Sequence, residues 1–496
     1  MTKFRALLLL PALALVGCAA VGPNYHVPHV DVPARWSEAP SASAPAPETP
    51  SCWWLEFEDP ELNSLIDRAV AANLDLQNAE ARVREARANR LVAKAPLYPS
   101  VSTTGSFTRS QLSQNAAGTT QAAGERSIPP TNLYQAGFDV SWEIDVFGGI
   151  RRSVEAATDT LQATAYDRED VLLTLLAEVA RNYIELRGFQ RQLEVTRQNL
   201  DSQTDTLNLT RARYQGGLAT DLDVARAEAQ AETTASDLPT LEISYGQAVH
   251  RIGVLLGEDP GALADELSPN RPIPGAPSAL PPGLPSDLLR QRPDIRRSER
   301  QLAAATAQIG VATADLYPKF SLSGSAGLSS ISASDFFTGA SKAWSFGPTI
   351  TWPIFQGGQI KANIEVRDAQ AQQALLTYRQ TILSAFEDTE NAILEFNQER
   401  ERSDRLDEAV RSNQRAAEYS TQLYLRGLTD FLSVLDAQRN LFVAQVSLVQ
   451  SQVSLSTDLV ALHKALGGGW DAFPMRAETA TRPPVETVTA RQQERQ

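Results

Sequence analysis

The chain has 496 residues, of which 42% are hydrophobic and 21% charged, so it can bury a sizeable core. With 45 Lys and Arg against 59 Asp and Glu, its formal net charge of -14 argues against nucleic acid, whose phosphates need a basic surface. Only 4 His, 2 Cys and 2 Met are present, so we expect no zinc or soft-metal site and no cofactor.

The N-terminus, residues 1–17, has the pattern of an export signal peptide. Two basic residues precede an apolar run that is too short to span a bilayer. The run ends in Leu15-Val16-Gly17-Cys18, which resembles a bacterial lipobox, where the cysteine is acylated and becomes the first residue of the mature protein. We therefore predict lipidation at Cys18, and the alternative is a plain secretory signal with a chance cysteine. No aspartate follows Cys18, which by analogy with lipoprotein sorting favours the outer membrane.

The two halves of the chain repeat one another, which indicates an internal tandem repeat. Tyr98-Pro99 recurs as Tyr317-Pro318, 219 residues later, and Trp142 recurs as Trp352, 210 residues later. Because the offset shrinks between these two anchors, the first repeat carries extra residues there. They fall in a stretch rich in Ser, Gln and Gly, which predicts a loop.

These anchors divide the chain into six segments. In order they are a signal peptide (1–17), a lipid-anchored tether (18–60), the first repeat (61–259), a Pro- and Gly-rich linker (260–285), the second repeat (286–470) and a disordered tail (471–496).

Each repeat contains two predicted β-strands. From Tyr134 to Val146 apolar and polar residues alternate without a break, and residues 320–328 and 344–354 show the same period, with 101–113 as a weaker fourth strand. A strand of about 10–13 residues with one apolar face and aromatic ends suits a transmembrane β-barrel, and the alternative is a soluble sandwich. Since four strands cannot close a membrane barrel, the barrel requires several chains.

Long helices follow the strands. The run from Gly149 to Arg213 lacks proline and predicts a helix of roughly 93 Å. Leucine, valine or tyrosine recurs every seven residues from Leu172 to Tyr214, which is typical of a coiled-coil seam. We expect each long helix to lie beside two shorter helices stacked end to end. The shorter helices are predicted at 61–94 with 221–257, and at 286–314 with 430–466.

No motif of an enzyme is visible. The sequence lacks a nucleophile elbow, a Walker A loop and a zinc-protease motif, and its four histidines are scattered. Most carboxylates lie one helical turn from a basic residue, as Glu80 and Arg84 do, which is typical of a solvated surface. We therefore expect no catalytic residues.

Several motifs together resemble the TolC-like outer-membrane efflux family, in its NodT-type lipoprotein branch. Besides the Tyr-Pro pairs and Gly-Gly turns, they are Cys18, Val21-Gly22-Pro23-Asn24-Tyr25, Trp53-Trp54, Phe57, Asp59-Pro60, Leu62, Leu65, Tyr424 with Gly427, and Val434-Leu435-Asp436-Ala437-Gln438. The resemblance covers about residues 18–470.

The resemblance implies a mainly α protein with membrane β-structure: a homotrimer with one twelve-stranded transmembrane β-barrel, four strands per chain, above a long α-helical coiled-coil tunnel. It would be the passive exit duct of a resistance-nodulation-division tripartite pump for drugs and small amphipathic toxins. Its expected partners are a periplasmic adaptor (membrane fusion) protein, an inner-membrane proton-driven transporter and outer-membrane lipid. The alternatives are a channel for protein secretion, or a periplasmic coiled-coil adaptor or scaffold lipoprotein.

The resemblance also implies a periplasmic gate. Asp436, twelve residues after Tyr424, would form a ring of three carboxylates on the threefold axis, with Leu432 as an apolar constriction beside it. Asp223 would bond to Tyr424 and hold the gate shut. From the strand alternation, Asp139, Glu143 and Asp145 are expected to face the lumen, giving the duct a cation preference.

Overall fold

The computed structural model describes residues 20–38, 51–111, 129–275 and 285–474. Cys18, most of the predicted loop and residues 475–496 lie outside these ranges. The helices and strands of the described ranges, in chain order, are α1 (Pro60–Ala72), α2 (Leu74–Lys94), β1 (Ser100–Ser110), β2 (Thr131–Ile144), α3 (Gly149–Gln215), α4 (Asp221–Leu255), α5 (Ala264–Leu267), α6 (Pro285–Gln291), α7 (Pro293–Ala314), β3 (Lys319–Ser330), β4 (Lys342–Thr351), α8 (Gln359–Leu425) and α9 (Phe431–Ala465). Among the helices described, none is long and apolar enough to cross a membrane.

The four predicted strands are confirmed and form one antiparallel sheet in the order β1-β2-β3-β4. Their register aligns Ser102, Asp139, Ser325 and Ser345 in one row, and the face that carries this row is predominantly polar. The opposite face carries large apolar side chains that remain open to the surroundings, and Trp344 is 80% exposed. An apolar face on this scale must lie against something other than water.

Each long helix lies beside two shorter ones, as predicted. The helix α3 packs against α2 and α4, and α8 packs against α7 and α9; α3 also contacts α7, which joins the two repeats. In the predicted heptad series, Leu172, Val179 and Leu186 are fully buried, whereas Tyr214 at the far end is exposed. At about 1.5 Å per residue, the 67 residues of α3 extend roughly 100 Å.

The helices predicted at 61–94 and 286–314 are each broken, which corrects the sequence prediction. The breaks fall at Asn73 and Arg292, which are equivalent positions of the two repeats. Asn73 Nδ2 donates to the Leu255 carbonyl at 2.9 Å, and Arg292 Nη1 donates to the equivalent Ala465 carbonyl at 3.0 Å. Each break therefore satisfies a carbonyl at the end of the returning helix, which has no intrahelical partner.

The main core lies midway along the helices, and the N- and C-terminal segments both enter it. Trp53, in a 3-10 turn at Trp53–Phe57, is fully buried and stacks on His463 at 5.2 Å between ring centroids. Trp54 stacks on Phe473 at 5.7 Å. Trp53 and Trp54, assigned to the tether, are buried against the helices, and Phe473, assigned to the tail, packs on Trp54. The segment boundaries themselves stay predictions.

Residues 20–38 form a strap that starts on the first repeat and continues along the second. It begins beside the sheet, where the Val21 amide donates to the Phe147 carbonyl at 3.0 Å. It continues along α7, where the Tyr25 hydroxyl donates to Glu299 at 3.1 Å, and it ends with Trp36 buried near Phe386 of α8. The strap is therefore an ordered part of the fold rather than a free tether.

Candidate periplasmic gate and duct wall

Two equivalent glycine turns close the end of the helical layer remote from the sheet. After α3 the Leu218 amide donates to the Arg213 carbonyl at 2.8 Å, and after α8 the Leu428 amide donates to the Leu423 carbonyl at 2.9 Å. Gly217 and Gly427 have φ of 73° and 72°, a left-handed conformation that favours glycine. The repeat thus produces two matching helical hairpins at this tip.

The helices that return from the tip are capped differently in the two repeats. In α4, Asp223 Oδ2 accepts from the Thr220 amide at 3.0 Å and from its hydroxyl at 2.7 Å, forming a capping box. In α9, Asp430 is the N-cap, and hydrogen bonds from the Ser433 hydroxyl and amide lower the pKa of its carboxyl. The carboxylate of Asp223 is therefore engaged within its own turn.

Tyr424 lies buried in a small core between the two hairpins. Its ring packs at 5.6 Å from Phe431, and the guanidinium of Arg213 lies 4.4 Å above the ring centroid. Its hydroxyl has no hydrogen-bond partner within the described chain. The predicted bond between Asp223 and Tyr424 is therefore not formed within the described chain, where Asp223 Oδ2 instead accepts from Thr220.

Leu432 and Asp436 lie on one exposed stripe of α9. They are separated by one helical turn, and Asn440 follows a turn later, with Nδ2 donating to Asp436 Oδ2 at 3.2 Å. Leu432 is half exposed although it is apolar. The stripe therefore presents an apolar residue, a carboxylate and an amide in sequence along one face.

Replacing Tyr424 by phenylalanine is expected to leave the thermal midpoint unchanged or slightly higher, because the buried hydroxyl has no bond to lose. Replacing Asp223 by alanine should instead destabilise the tip by about 1 kcal/mol, since the capping box is lost. Thermal unfolding followed by circular dichroism measures both variants. If Tyr424→Phe lowered the midpoint as much as Asp223→Ala, the hydroxyl would have a partner outside this chain.

The three acidic residues expected in the lumen differ in their surroundings. Asp139 lies on the polar face of the sheet and accepts from the Thr104 hydroxyl at 3.0 Å. Glu143 lies on the same face near Lys319. Asp145 lies beyond β2 and accepts from the Ile150 and Arg151 amides at 3.2 and 2.9 Å, so it caps α3.

Asp145 therefore has a structural role at the start of α3. Four backbone amides at a helix N-terminus lack intrahelical acceptors, and this carboxylate serves two of them. It also pairs with the Arg151 side chain at 3.2 Å, and only 11% of its own side chain is exposed. Because Asp145 also lines a cavity at the junction between sheet and helices, its position toward the lumen stays a prediction.

Sequence reasoning missed a polar trough of about 810 Å³ on the helical layer. Its floor is α3 and its sides are α2 and α7, and each helix contributes one stripe of small and polar residues at helical spacing. The stripe on α7, for example, contains Arg297, Gln301, Ala304 and Gln308. The helical spacing of these small residues could have predicted each stripe. Which helices pack side by side depends on tertiary contacts and could not be predicted from that spacing.

The trough continues onto the polar face of the sheet. A second cavity, of about 320 Å³, lies at the junction between sheet and helices and shares Ala93 and Ser153 with the trough. Its lining includes Glu143 and Lys319, which both lie on the polar face by register. One continuous concave wall therefore extends from the polar face of the strands onto the helices, with charged and apolar residues mixed at the junction.

A sheet with one exposed apolar face and one largely polar face, continuous with a layer of long helices, is the architecture expected of an outer-membrane channel subunit. The chain belongs to the outer membrane efflux protein family, whose model matches residues 65–258 and 284–468. These two matches coincide with the two repeats and confirm the resemblance drawn from the sequence.

Similar proteins and solved structures support this family assignment. The chain is 34% identical to the pyoverdine export outer membrane protein OpmQ of Pseudomonas aeruginosa, over 95% of this chain and 98% of that protein. It is 32% identical to nodulation protein T of Rhizobium leguminosarum bv. trifolii, over 93% and 96% respectively.

Among solved structures, the outer-membrane channel OprN superposes with a TM-score of 0.85 at 37% identity, covering 91% of this chain and all of that one. The open-state MtrE channel of Neisseria gonorrhoeae gives a TM-score of 0.76 at 28% identity, covering 91% and 99%. The predicted fold and outer-membrane location are thereby confirmed.

Proposed function

We propose that this chain is the passive exit duct of a tripartite efflux pump, working with a periplasmic adaptor and an inner-membrane proton-driven transporter. The observation that carries the proposal is the continuous concave wall from the polar sheet face onto the helices, behind which the sheet exposes an apolar face. Relatives are named for pyoverdine export and for toluene and antibiotic efflux. Small amphipathic molecules are therefore the expected cargo.

The start of the strap supports acylation at Cys18. Ala20 lies so close to the sheet–helix junction that a side chain added at Gly148 would be 2.5 Å from its Cβ. Ala20, the second residue after Cys18 in the sequence, therefore lies at this junction. The junction is also where the apolar face of the sheet ends, which is the level expected for a membrane surface.

The repeat supports a homotrimer with a defined strand register. Within the chain, β2 of the first repeat pairs with β3 of the second, and the registers of β1–β2 and β3–β4 are equivalent. If the same arrangement continues between chains, β4 pairs with β1 of the partner subunit. In that register Thr349 lies opposite Ser106 of the partner subunit, just as Asp139 lies opposite Ser325 within the chain.

Cysteines at Thr349 and Ser106 are expected to cross-link the chain into covalent trimers, because directly opposed Cβ atoms lie about 4.5–5.5 Å apart. The cross-link is formed with an oxidant or a short bifunctional thiol reagent and read on denaturing gels of outer membranes. Thr349→Cys with Phe107→Cys is the matched control, since Phe107 lies one register step away on the opposite face.

The same trimers should conduct ions in planar bilayers in discrete steps. A duct conducts, whereas a periplasmic adaptor or scaffold lipoprotein does not. Absence of conductance would contradict the proposed function. Cross-linking of the control pair in preference to the designed pair would contradict the proposed register.

We also propose that Leu432 and Asp436 form the periplasmic gate. The support is their position on one exposed stripe of α9, directly after the tip turn. On a threefold axis, three such stripes would bring apolar and acidic residues together as successive rings. Closure by a bond between Asp223 and Tyr424 forms no part of this proposal.

A further inference from the structure

The charges of the trough are concentrated at its end remote from the sheet. The charged residues among its described lining are Arg82, Glu85, Asp167 and Arg297. From Ser153 to Asp167 the floor of the trough is roughly 21 Å long, at about 1.5 Å per residue. Between these ends the lining is alanine, serine, threonine, asparagine and glutamine.

Asp167 lies between two arginines from different helices. Arg297 Nη1 of α7 lies 2.7 Å from Asp167 Oδ1, and Arg82 Nη1 of α2 lies 3.4 Å from Asp167 Oδ2. Arg297 also contacts Asp170 Oδ2 at 3.0 Å. About a quarter of the Asp167 side chain and half of the Arg82 side chain remain exposed, so the group faces the trough.

The trough lies on the opposite side of the helical layer from the strap. On α7 the trough residues Arg297 and Gln301 are on one face, whereas the strap contacts Glu299 and Gly310 on the other. The trough side is continuous with the polar sheet face, and the strap side is not. The group around Asp167 therefore belongs to the inner wall of the duct.

We propose that Asp167 determines the charge selectivity of the upper duct, an inference that rests on the proposed function. The carboxylate pairs with two arginines across the trough, and Glu85 and Asp170 stand beside it, so this collar holds three carboxylates and two guanidinium groups. The small excess of negative charge favours cationic over anionic solutes. Without Asp167, each of three subunits would lose that excess and Arg82 would lose the carboxylate 3.4 Å away, so the passage would admit anionic solutes more readily.

The local potential is measured with a cysteine one helical turn from the collar, at Thr164, in a Cys52→Ser background. Its rates of modification by a cationic and an anionic methanethiosulfonate reagent are compared in assembled trimers. Asp167→Asn should lower the cation-to-anion rate ratio about fivefold, whereas Arg297→Gln should raise that ratio.

Gln162→Cys is the matched control, because Gln162 is exposed on α3 but does not line the trough. Its rate ratio should change less than twofold in the same variants. Equal ratios at Thr164→Cys in the native, Asp167→Asn and Arg297→Gln backgrounds would overturn the inference. Since the ratio reports local potential only, the conductance of native trimers tests the proposed function separately.

Discussion

Replacement of Arg187 by alanine is expected to destabilise the assembled protein by about 3–5 kcal/mol, because it leaves a buried carboxylate without its main partner. The Arg187 side chain is fully buried in α3, and its Nη2 lies 2.5 Å from Glu61 Oε2 of α1. Its Nη1 donates to Gln190 at 2.7 Å and to the Pro269 carbonyl at 2.8 Å. One guanidinium thus joins the first helix, the long helix and the linker.

The groups around Arg187 make the fold sensitive to the loss of its guanidinium. Burial raises the pKa of the Tyr183 hydroxyl well above its ordinary value, so it remains a donor, to Asp59 at 2.8 Å. Without Arg187, Glu61 retains an ion pair with Arg271, whose side chain is half exposed and therefore screened by solvent. The remaining partner cannot compensate for the loss.

The temperature at which detergent-resistant trimers dissociate measures the effect. Arg191→Ala is the matched control: Arg191 lies one turn further along α3, but its pair with Glu194 is exposed, so its loss should cost less than about 1 kcal/mol. The double variant Arg187→Met with Glu61→Gln should recover part of the stability, because no buried charge is left unpaired. Equal midpoints for Arg187→Ala and Arg191→Ala would contradict the assignment.

The elements that could be predicted are those that local pattern specifies. The strands follow from strict alternation, and the long helices follow from runs without proline that end at glycine turns. The capping box of Asp223 is also a local pattern, since Thr220 stands three residues before it. Whether Asp223 also reaches Tyr424 cannot be read from that spacing, because it depends on how the two hairpins pack.

What escaped prediction depends on residues far apart in the chain. The breaks at Asn73 and Arg292 exist because each side chain reaches a carbonyl more than 170 positions away, at Leu255 or Ala465. Trp53 is held in the core by stacking on His463, and no local sequence pattern predicts that contact. The collar around Asp167 likewise requires three helices to adjoin, which periodicity on one helix cannot specify.

Replacement of Asp436 by asparagine is expected to lower the cation-over-anion permeability ratio of the trimer several-fold. The side chain keeps its size, but the predicted ring at the tip loses three negative charges. Because Asp436 is exposed and accepts a hydrogen bond from Asn440 of its own helix, the change should leave the fold intact. Reversal potentials in a salt gradient across planar bilayers measure the ratio.

Asn440→Asp provides a control of opposite sign. It adds a carboxylate to the same stripe of α9 one turn further from the tip, so it should raise the preference for cations. One variant removes a carboxylate from this face of α9 and the other adds one a turn away, and neither alters the Tyr424 core. If Asp436→Asn kept the native ratio while Asn440→Asp changed it, the constriction would lie above Asp436, and the gate would have to be placed nearer the collar of Asp167.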